Sequence, residues 1–408
     1  MAKMTRPQVP SAAFLWSALA ASSASGFARA LAQGFVGLAL GPDAARNGPE
    51  PDWPTGNKIA LELNSVSLRD FSTTSQGPAT LVCAPFALHG ASAVDFAANH
   101  SLVGALVEAG LTRVFVTDWR SADADMRFFS IDTYLADLNV MVDQLGGVVD
   151  LIGLCQGGWL ALTYAARFPH KVGKVVLAGA PVDIEAGSSP VSERAKETPL
   201  SVFRELVTLG DGRMLGRHAL QFWGPAPLDA AALHALLQAL DPIGSAHFRR
   251  LEARFRRWHA WTVDLPGRYY LDVVERLFKQ NQLAAGGFVA LGREIKLRDM
   301  RAPIFLLAAR DDEVVAPAQL FATERLVGTP AGQVEKLVAP TSHLGLFMNR
   351  DVLTEIWPRI AHWLSGAEAE SRSLPARLHG RDARRRQTPS RDHLPPHKAA
   401  QSPVSSDS

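Results

Sequence analysis

The sequence predicts an α/β chain: a doubly wound, mostly parallel sheet carrying an inserted, mainly helical cap. Three observations carry this prediction. Short apolar runs without polar alternation, such as Thr80-Leu81-Val82-Cys83-Ala84-Pro85, recur between helical segments. Strands buried on both faces read this way, and strands alternating with helices imply a parallel sheet. From about Val182 to Leu297 the alternation stops, and Ala- and Arg-rich helical segments take over. Finally, the run Val149-Asp150-Leu151-Ile152 leads into Gly153-Leu154-Cys155-Gln156-Gly157-Gly158, a glycine-flanked cysteine on a strand-to-helix turn.

Bulk properties narrow the class further. The chain has 408 residues, enough for one large α/β domain with additions. Hydrophobic residues make up 47% and charged residues 20%, as in a globular protein with a large core. A net charge of +2 gives no global argument for nucleic acid. Two cysteines, Cys83 and Cys155, make neither a disulfide framework nor a zinc site, which points to a reducing, cytoplasmic setting. No apolar run has the length of a membrane span.

In chain order, residues 1–50 read as a peripheral helical arm and linker. Lys3, Arg6 and the Ala-rich stretch after them superficially match a signal peptide. The preferred reading is an amphipathic helix with Phe14, Leu15, Leu19, Phe27, Leu31 and Phe35 as its stripe. The first part of the sheet domain spans 51–181. It opens on a β-hairpin at Ile59–Leu63 and Val66–Phe71, followed by the Thr80 strand and a helix over Phe96–Glu108. A strand at Arg113–Asp118, a helix at Ile131–Leu145, the cysteine strand, a helix at Trp159–Arg167 and a strand at Lys174–Ala178 complete it. The cap spans 182–297 and holds Trp223, Trp258, Trp261, Tyr269, Tyr270 and Phe278. Most of these are expected to pack the cap, with a minority, Trp261 and Tyr269 first, lining an acyl passage. The second part of the sheet domain, 298–365, carries strands at Ala302–Ala309 and Gln333–Val338 and a helix at Asp351–Leu364. Residues 366–408, rich in Ser, Pro, Arg and His, read as a disordered tail.

The cysteine motif has the form of the nucleophile elbow of the α/β-hydrolase fold, with Cys in place of Ser. The glycines let strand and helix approach, and the helix N-terminus favours a thiolate and, later, an oxyanion. In this fold the acid follows a late strand and the histidine follows the last one. The strand ending at Ala309 runs into Asp311-Asp312-Glu313, and the strand ending at Val338 runs toward His343. The expected triad is therefore Cys155, Asp312 and His343. Asp311 is the alternative acid, and Glu313 is read as a capping or surface residue. The oxyanion hole is expected at the backbone N–H of Gln156, with a second from Phe86 or Ala87. His89 lies close by and is read as a loop histidine, with a second catalytic role as the alternative. No metal site is expected, and no cofactor.

These motifs resemble the polyhydroxyalkanoate synthases, most closely the short ones that work with a separate partner subunit. The likeness rests on the Gly153–Gly158 box, on Val116-Thr117-Asp118-Trp119, and on Gly179-Ala180-Pro181-Val182-Asp183. It continues through Trp261–Gly267, Asn281-Gln282-Leu283, Ile304–Pro317 and His343–Phe347, covering most of residues 78–365. The resemblance implies a transferase in which Cys155 takes a 3-hydroxyacyl group from its CoA thioester and passes it to a growing polyester. It places nucleophile, acid and base on Cys155, Asp312 and His343. It also implies a synthase partner subunit or a homodimer; separately, no nucleic-acid partner is expected, and the N-terminal helix is expected to contact a granule surface. Intracellular polyhydroxyalkanoate depolymerases are similar in the last loop. A depolymerase or acyl-CoA thioesterase with the same triad is thus the second reading, and a granule-binding protein with a degenerate site the third.

Overall fold

The computed structural model describes residues 50–224 and 228–366. The expectations for the N-terminal arm and the C-terminal tail fall outside these residues, apart from Glu50 and Gly366.

The β-branched and leucine-rich runs assemble one central sheet. Its strands are β1 (Lys58–Glu62), β2 (Val66–Asp70), β3 (Ala79–Cys83), β4 (Val114–Trp119), β5 (Val149–Leu154), β6 (Val172–Ala178), β7 (Ile304–Asp311) and β8 (Val334–Ser342). Their order across the sheet is β1-β2-β4-β3-β5-β6-β7-β8. The β1–β2 and β2–β4 pairs are antiparallel, and every other pair is parallel. This is the α/β-hydrolase fold.

Successive residues of each strand face opposite sides. Leu81, Leu151, Leu177 and Leu306 belong to one buried cluster, and Val82, Ile152, Val176 and Leu307 to the other. That explains the absence of polar alternation in the sequence, because both faces are covered. Helices α2 (Ile131–Gln144) and α3 (Gln156–Arg167) cover the first face; α1 (Leu102–Glu108) and α4 (Trp357–Ser365) cover the second.

Several boundaries differ from the sequence reading, each for a local reason. Helix α1 starts at Leu102 rather than at Phe96. Asn99 takes φ 64°, Asp95–Ala97 pairs with His100–Ser101, and the Ser101 side chain caps the helix by accepting from Gly104 N at 2.8 Å. Helix α3 begins three residues earlier than expected, immediately after Cys155. The closing helix opens with a wide π-type turn, Val352–Ile356, before α4.

Between β6 and β7, helices occupy Pro190–Glu197, Leu200–Leu209, Gly216–Trp223, Ala230–Leu237, Ala246–Ala260 and Gly267–Asp272. Two small ribbons also occur there that the sequence reading lacked: Arg213–Met214 with Leu265–Pro266, and Val289–Ala290 with Arg293–Glu294. Two-residue strands leave too short a pattern to read.

Polar ties hold these helices to the sheet. Asp183, just past β6 and 4% exposed, accepts from Asn281 Nδ2 at 2.8 Å and pairs with Arg325. Asn281 Oδ1 in turn accepts from Ile184 N at 3.1 Å. On the other side, Asp52 meets Arg254 and Arg257 at 3.1 and 2.6 Å. Asp183→Ala would strand a buried amide. The expected cost is about 2 kcal/mol, read as a lower urea midpoint, whereas Asp52→Ala at the exposed tie should cost under about 1 kcal/mol.

Candidate active site

Strand β5 delivers Cys155 to the turn before α3. The residue takes φ 48° and ψ −120°, a backbone state that costs a non-glycine residue about 1–3 kcal/mol. Neighbouring contacts hold it there. Cys155 N donates to Ala178 O on β6 at 2.9 Å, and its carbonyl accepts from Gly158 N at 2.9 Å. The glycines are required by contact distance. A Cβ on Gly157 would stand 2.1 Å from the Cys83 carbonyl oxygen, and one on Gly158 would stand 2.3 Å from Ala180 Cβ. A Cβ on Gly153 would meet Gly158 Cα at 2.6 Å. Strand β3, the elbow and α3 can close on one another only without those side chains.

Strands β7 and β8 bring in the other two groups. His343 Nδ1 lies 2.9 Å from Asp312 Oδ2 and 3.0 Å from Oδ1. Both side chains are sealed, at 5% and 1% exposure. Asp312 Oδ1 also accepts from the amides of Val314 and Val315 at 2.9 and 2.8 Å, which fixes the carboxylate. Asp311 points away, 65% exposed and 3.5 Å from Arg310. Burial by itself would lower the pKa of His343. The charges of Cys155 and Asp312, with hydrogen bonds to both, outweigh burial and raise it well above the ordinary histidine value.

The loop after β3 lies opposite. Trp119 Nε1 donates to Ala84 O at 2.8 Å, and Ala84 N donates to Thr117 Oγ1 at 3.0 Å. The Phe86 ring packs on Tyr134 and Tyr269, with centroids 4.9 and 5.3 Å away. These contacts fix the backbone of Phe86 and Ala87 beside the elbow. The Gln156 side chain is occupied, since Oε1 accepts from Trp159 Nε1 at 2.7 Å. Its backbone N–H, in the first turn of α3, has no intrahelical acceptor.

A cavity of about 210 Å³ joins these parts. Cys155, Gln156, Phe86, Ala87 and His343 line it from the sheet side, and Trp223, Trp258, Tyr269, Tyr270 and Phe278 from the cap. The cap aromatics therefore line the cavity more than the sequence reading allowed. Trp261 is the exception and a correction: it is absent from the cavity wall, and its carbonyl accepts from His89 Nδ1 at 3.2 Å. Trp258, one helical turn earlier, holds the wall position instead. Among the described residues no group of metal-ligating side chains gathers.

Three residues make contacts at the site that the sequence alone did not give. Gly179, at φ 57°, lies against His343; a Cβ there would come within 3.0 Å of the ring. Its place after β6 in the Gly179-Ala180-Pro181 run was the available signal. Glu313, read as a capping or surface residue, is exposed, and it also lines the cavity and accepts from His343 N at 3.3 Å. His89 lines the same cavity.

Two outcomes follow from this geometry. Gly157→Ala should cost at least about 100-fold in any turnover, because the elbow must shift to clear the Cys83 carbonyl. Burial pushes the Cys83 thiol up to about 12, so at pH 8 it stays protonated. Iodoacetamide on the folded protein should therefore mark Cys155 and leave Cys83 unmodified, as read by peptide mass mapping.

Comparison with known proteins agrees with this architecture. The poly(3-hydroxyalkanoate) polymerase subunit PhaC of Synechocystis sp. is 29% identical over 281 residues, covering 67% of this chain and 74% of that one. The subunit of the same name from Allochromatium vinosum is 25% identical over 346 residues, covering 83% and 95%. The crystal structure of a monoacylglycerol lipase from Paleococcus ferrophilus shares the fold, with a TM-score of 0.50 at 16% identity, over 74% of this chain and 98% of that one. The chain is an enzyme of the α/β-hydrolase fold, similar to polyhydroxyalkanoate polymerase subunits. By the profile that matches residues 66–325, it belongs to the family described as "Protein of unknown function (DUF3141)".

Proposed function

We propose that the protein is an acyltransferase of the polyhydroxyalkanoate synthase type, which moves 3-hydroxyacyl groups from CoA through a thioester on Cys155 to a growing polyester. The observation that carries this reading is the run Cys155–His343–Asp312, closed inside a cavity lined with cap aromatics. A cysteine in that position suits thioester exchange. Its thiolate attacks a thioester well and leaves readily when an alcohol arrives. The printed names of the relatives point the same way.

In the first half-reaction, Cys155 attacks the acyl carbonyl as the thiolate. The oxyanion is held by the N–H of Gln156 and by one from Phe86 or Ala87. The tetrahedral intermediate collapses with cleavage of the carbon–sulfur bond to CoA, whose thiolate takes the proton of the His343 imidazolium. In the second half-reaction neutral His343 takes the proton of a 3-hydroxyl. The oxygen attacks the Cys155 thioester, an ester forms, and Cys155 leaves as the thiolate beside the re-formed imidazolium. Asp312 keeps the ring oriented and stabilises its charged form throughout. The word subunit in the relatives' names supports a second chain in the working enzyme. Residues ahead of Glu50 are proposed to meet the granule.

Purified protein supplied with 3-hydroxybutyryl-CoA tests the reading. CoA release with precipitating polyester is expected. Release with free acid alone would make water the acceptor and the protein a hydrolase; absence of release would contradict the transferase reading. Cys155→Ala should abolish release, and Cys83→Ala should leave most of it. Asp312→Asn should slow release by at least about 100-fold, and Asp311→Asn by under about 2-fold; the reverse order would move the acid by one residue.

A further inference from the structure

His89 occupies a place in the cavity that the triad leaves without a task. It lies on the loop after β3, two residues beyond Ala87. Its ring lines the cavity that holds Cys155 and His343. The tautomer is fixed by its partner. Nδ1 faces the Trp261 carbonyl at 3.2 Å, and a carbonyl only accepts, so Nδ1 carries the hydrogen. Nε2 is then a lone-pair acceptor, and it makes no hydrogen bond among the described residues. The ring remains partly accessible from the cavity.

Three other roles for the ring fail. Anchoring the loop does not need Nε2, because the Nδ1 bond, the Val263 N to Leu88 O bond at 3.1 Å and the His89–Thr262 bridge already do that. Proton transfer is poorly served: burial lowers the pKa of His89 to about 4, so the ring stays neutral near pH 7 and takes up a second proton only weakly. Metal binding fails because His89 has no set of ligands around it among the described residues. What remains is a neutral acceptor on a mostly apolar wall.

The neighbouring ring adds the complement. Trp258 packs on His89 with centroids 4.3 Å apart and lines the same cavity. Its indole N–H is buried with no acceptor. A hydroxyl is a small group that can donate to an acceptor such as His89 Nε2. In a 3-hydroxyacyl thioester the hydroxyl sits two carbons from the carbonyl. Phe86, Ala87 and His89 follow one another on a single loop and line the cavity that holds Cys155, so partners for the carbonyl and for the hydroxyl of one acyl unit lie on neighbouring residues.

We propose that His89 is the specificity-determining residue for the acyl group, its Nε2 accepting the hydrogen bond from the 3-hydroxyl of the unit bound to Cys155. The inference rests on the 3-hydroxyacyl reading above. It adds the residue that distinguishes such a unit from a plain acyl chain. A site built around a substrate hydroxyl discriminates against the analogue that lacks it, because the acceptor is then left unpaired.

The test compares first-turnover thiol release from the N-acetylcysteamine thioesters of 3-hydroxybutyrate and butyrate, with wild type, His89→Phe and His89→Gln. These donors require neither the CoA nucleotide nor polymer. Wild type is expected to favour the hydroxylated donor. His89→Phe, which keeps a ring on Trp258, should lower the rate constant for that donor by about 10–100-fold and alter the butyryl rate by under about 3-fold. His89→Gln, which restores an acceptor, should recover part of the preference. Because both donors are read on the same protein, a general loss of structure lowers both rates together. An equal fall for both donors, or an unchanged preference in His89→Phe, would overturn the role of His89 while leaving the transferase reading intact. Absence of release from either donor by wild type would overturn that reading, and this one with it.

Discussion

The closeness of strand β3, the elbow and helix α3 is the constraint on which the rest of the structure depends. Cys155 is held at φ 48°, and the space around it exists only because Gly153, Gly157 and Gly158 lack side chains. Strain at that residue is maintained by bonds from its own backbone to β6 and to α3. One geometric fact therefore sets several chemical ones. It puts the sulfur at the N-terminus of a twelve-residue helix, where the dipole and free amides favour negative charge. It also brings the end of β3, and with it the Phe86–Ala87 backbone, against the same point.

Charge then follows position. A buried imidazole alone would be neutral. Here a sealed carboxylate on one side and the sulfur on the other reverse the effect of burial. His89, in the same cavity, has neither neighbour, and burial wins. Of the histidines that line the cavity, His343 and His89 are thus driven in opposite directions, one toward holding a proton and one toward accepting a hydrogen bond, and burial lowers His259 as it does His89. Such divergence between nearby titratable groups is a common way for one site to divide tasks.

Much of this was legible in the sequence because the signals are local and periodic. Buried strands carry no polar alternation, and the glycines of the elbow announce close approach. The positions of His343 and of the Asp311–Asp312 pair after late strands follow from strand order, and the structure selects Asp312. What was missed depends on tertiary contact. The late start of helix α1 comes from Asn99 and the Ser101 cap, which override an apolar stretch that reads as helical. Trp261 and Trp258 are three residues apart in an aromatic-rich stretch, and the sequence pattern does not tell which one lines the cavity. Gly179 looks like an ordinary loop glycine until the ring of His343 is placed against it. Glu313 reads as surface, and it is exposed, yet its carboxylate meets the His343 backbone.

The central claim is that Cys155 carries the acyl group. Mixing the protein with 3-hydroxybutyryl-CoA, quenching with acid before turnover completes, and mapping the peptides by mass tests it directly. The account predicts a hydroxybutyryl adduct on the Cys155 peptide that hydroxylamine removes, with Cys83 unmodified. Release of CoA with Cys155 unmodified at every time point, or an adduct on another residue, would contradict it.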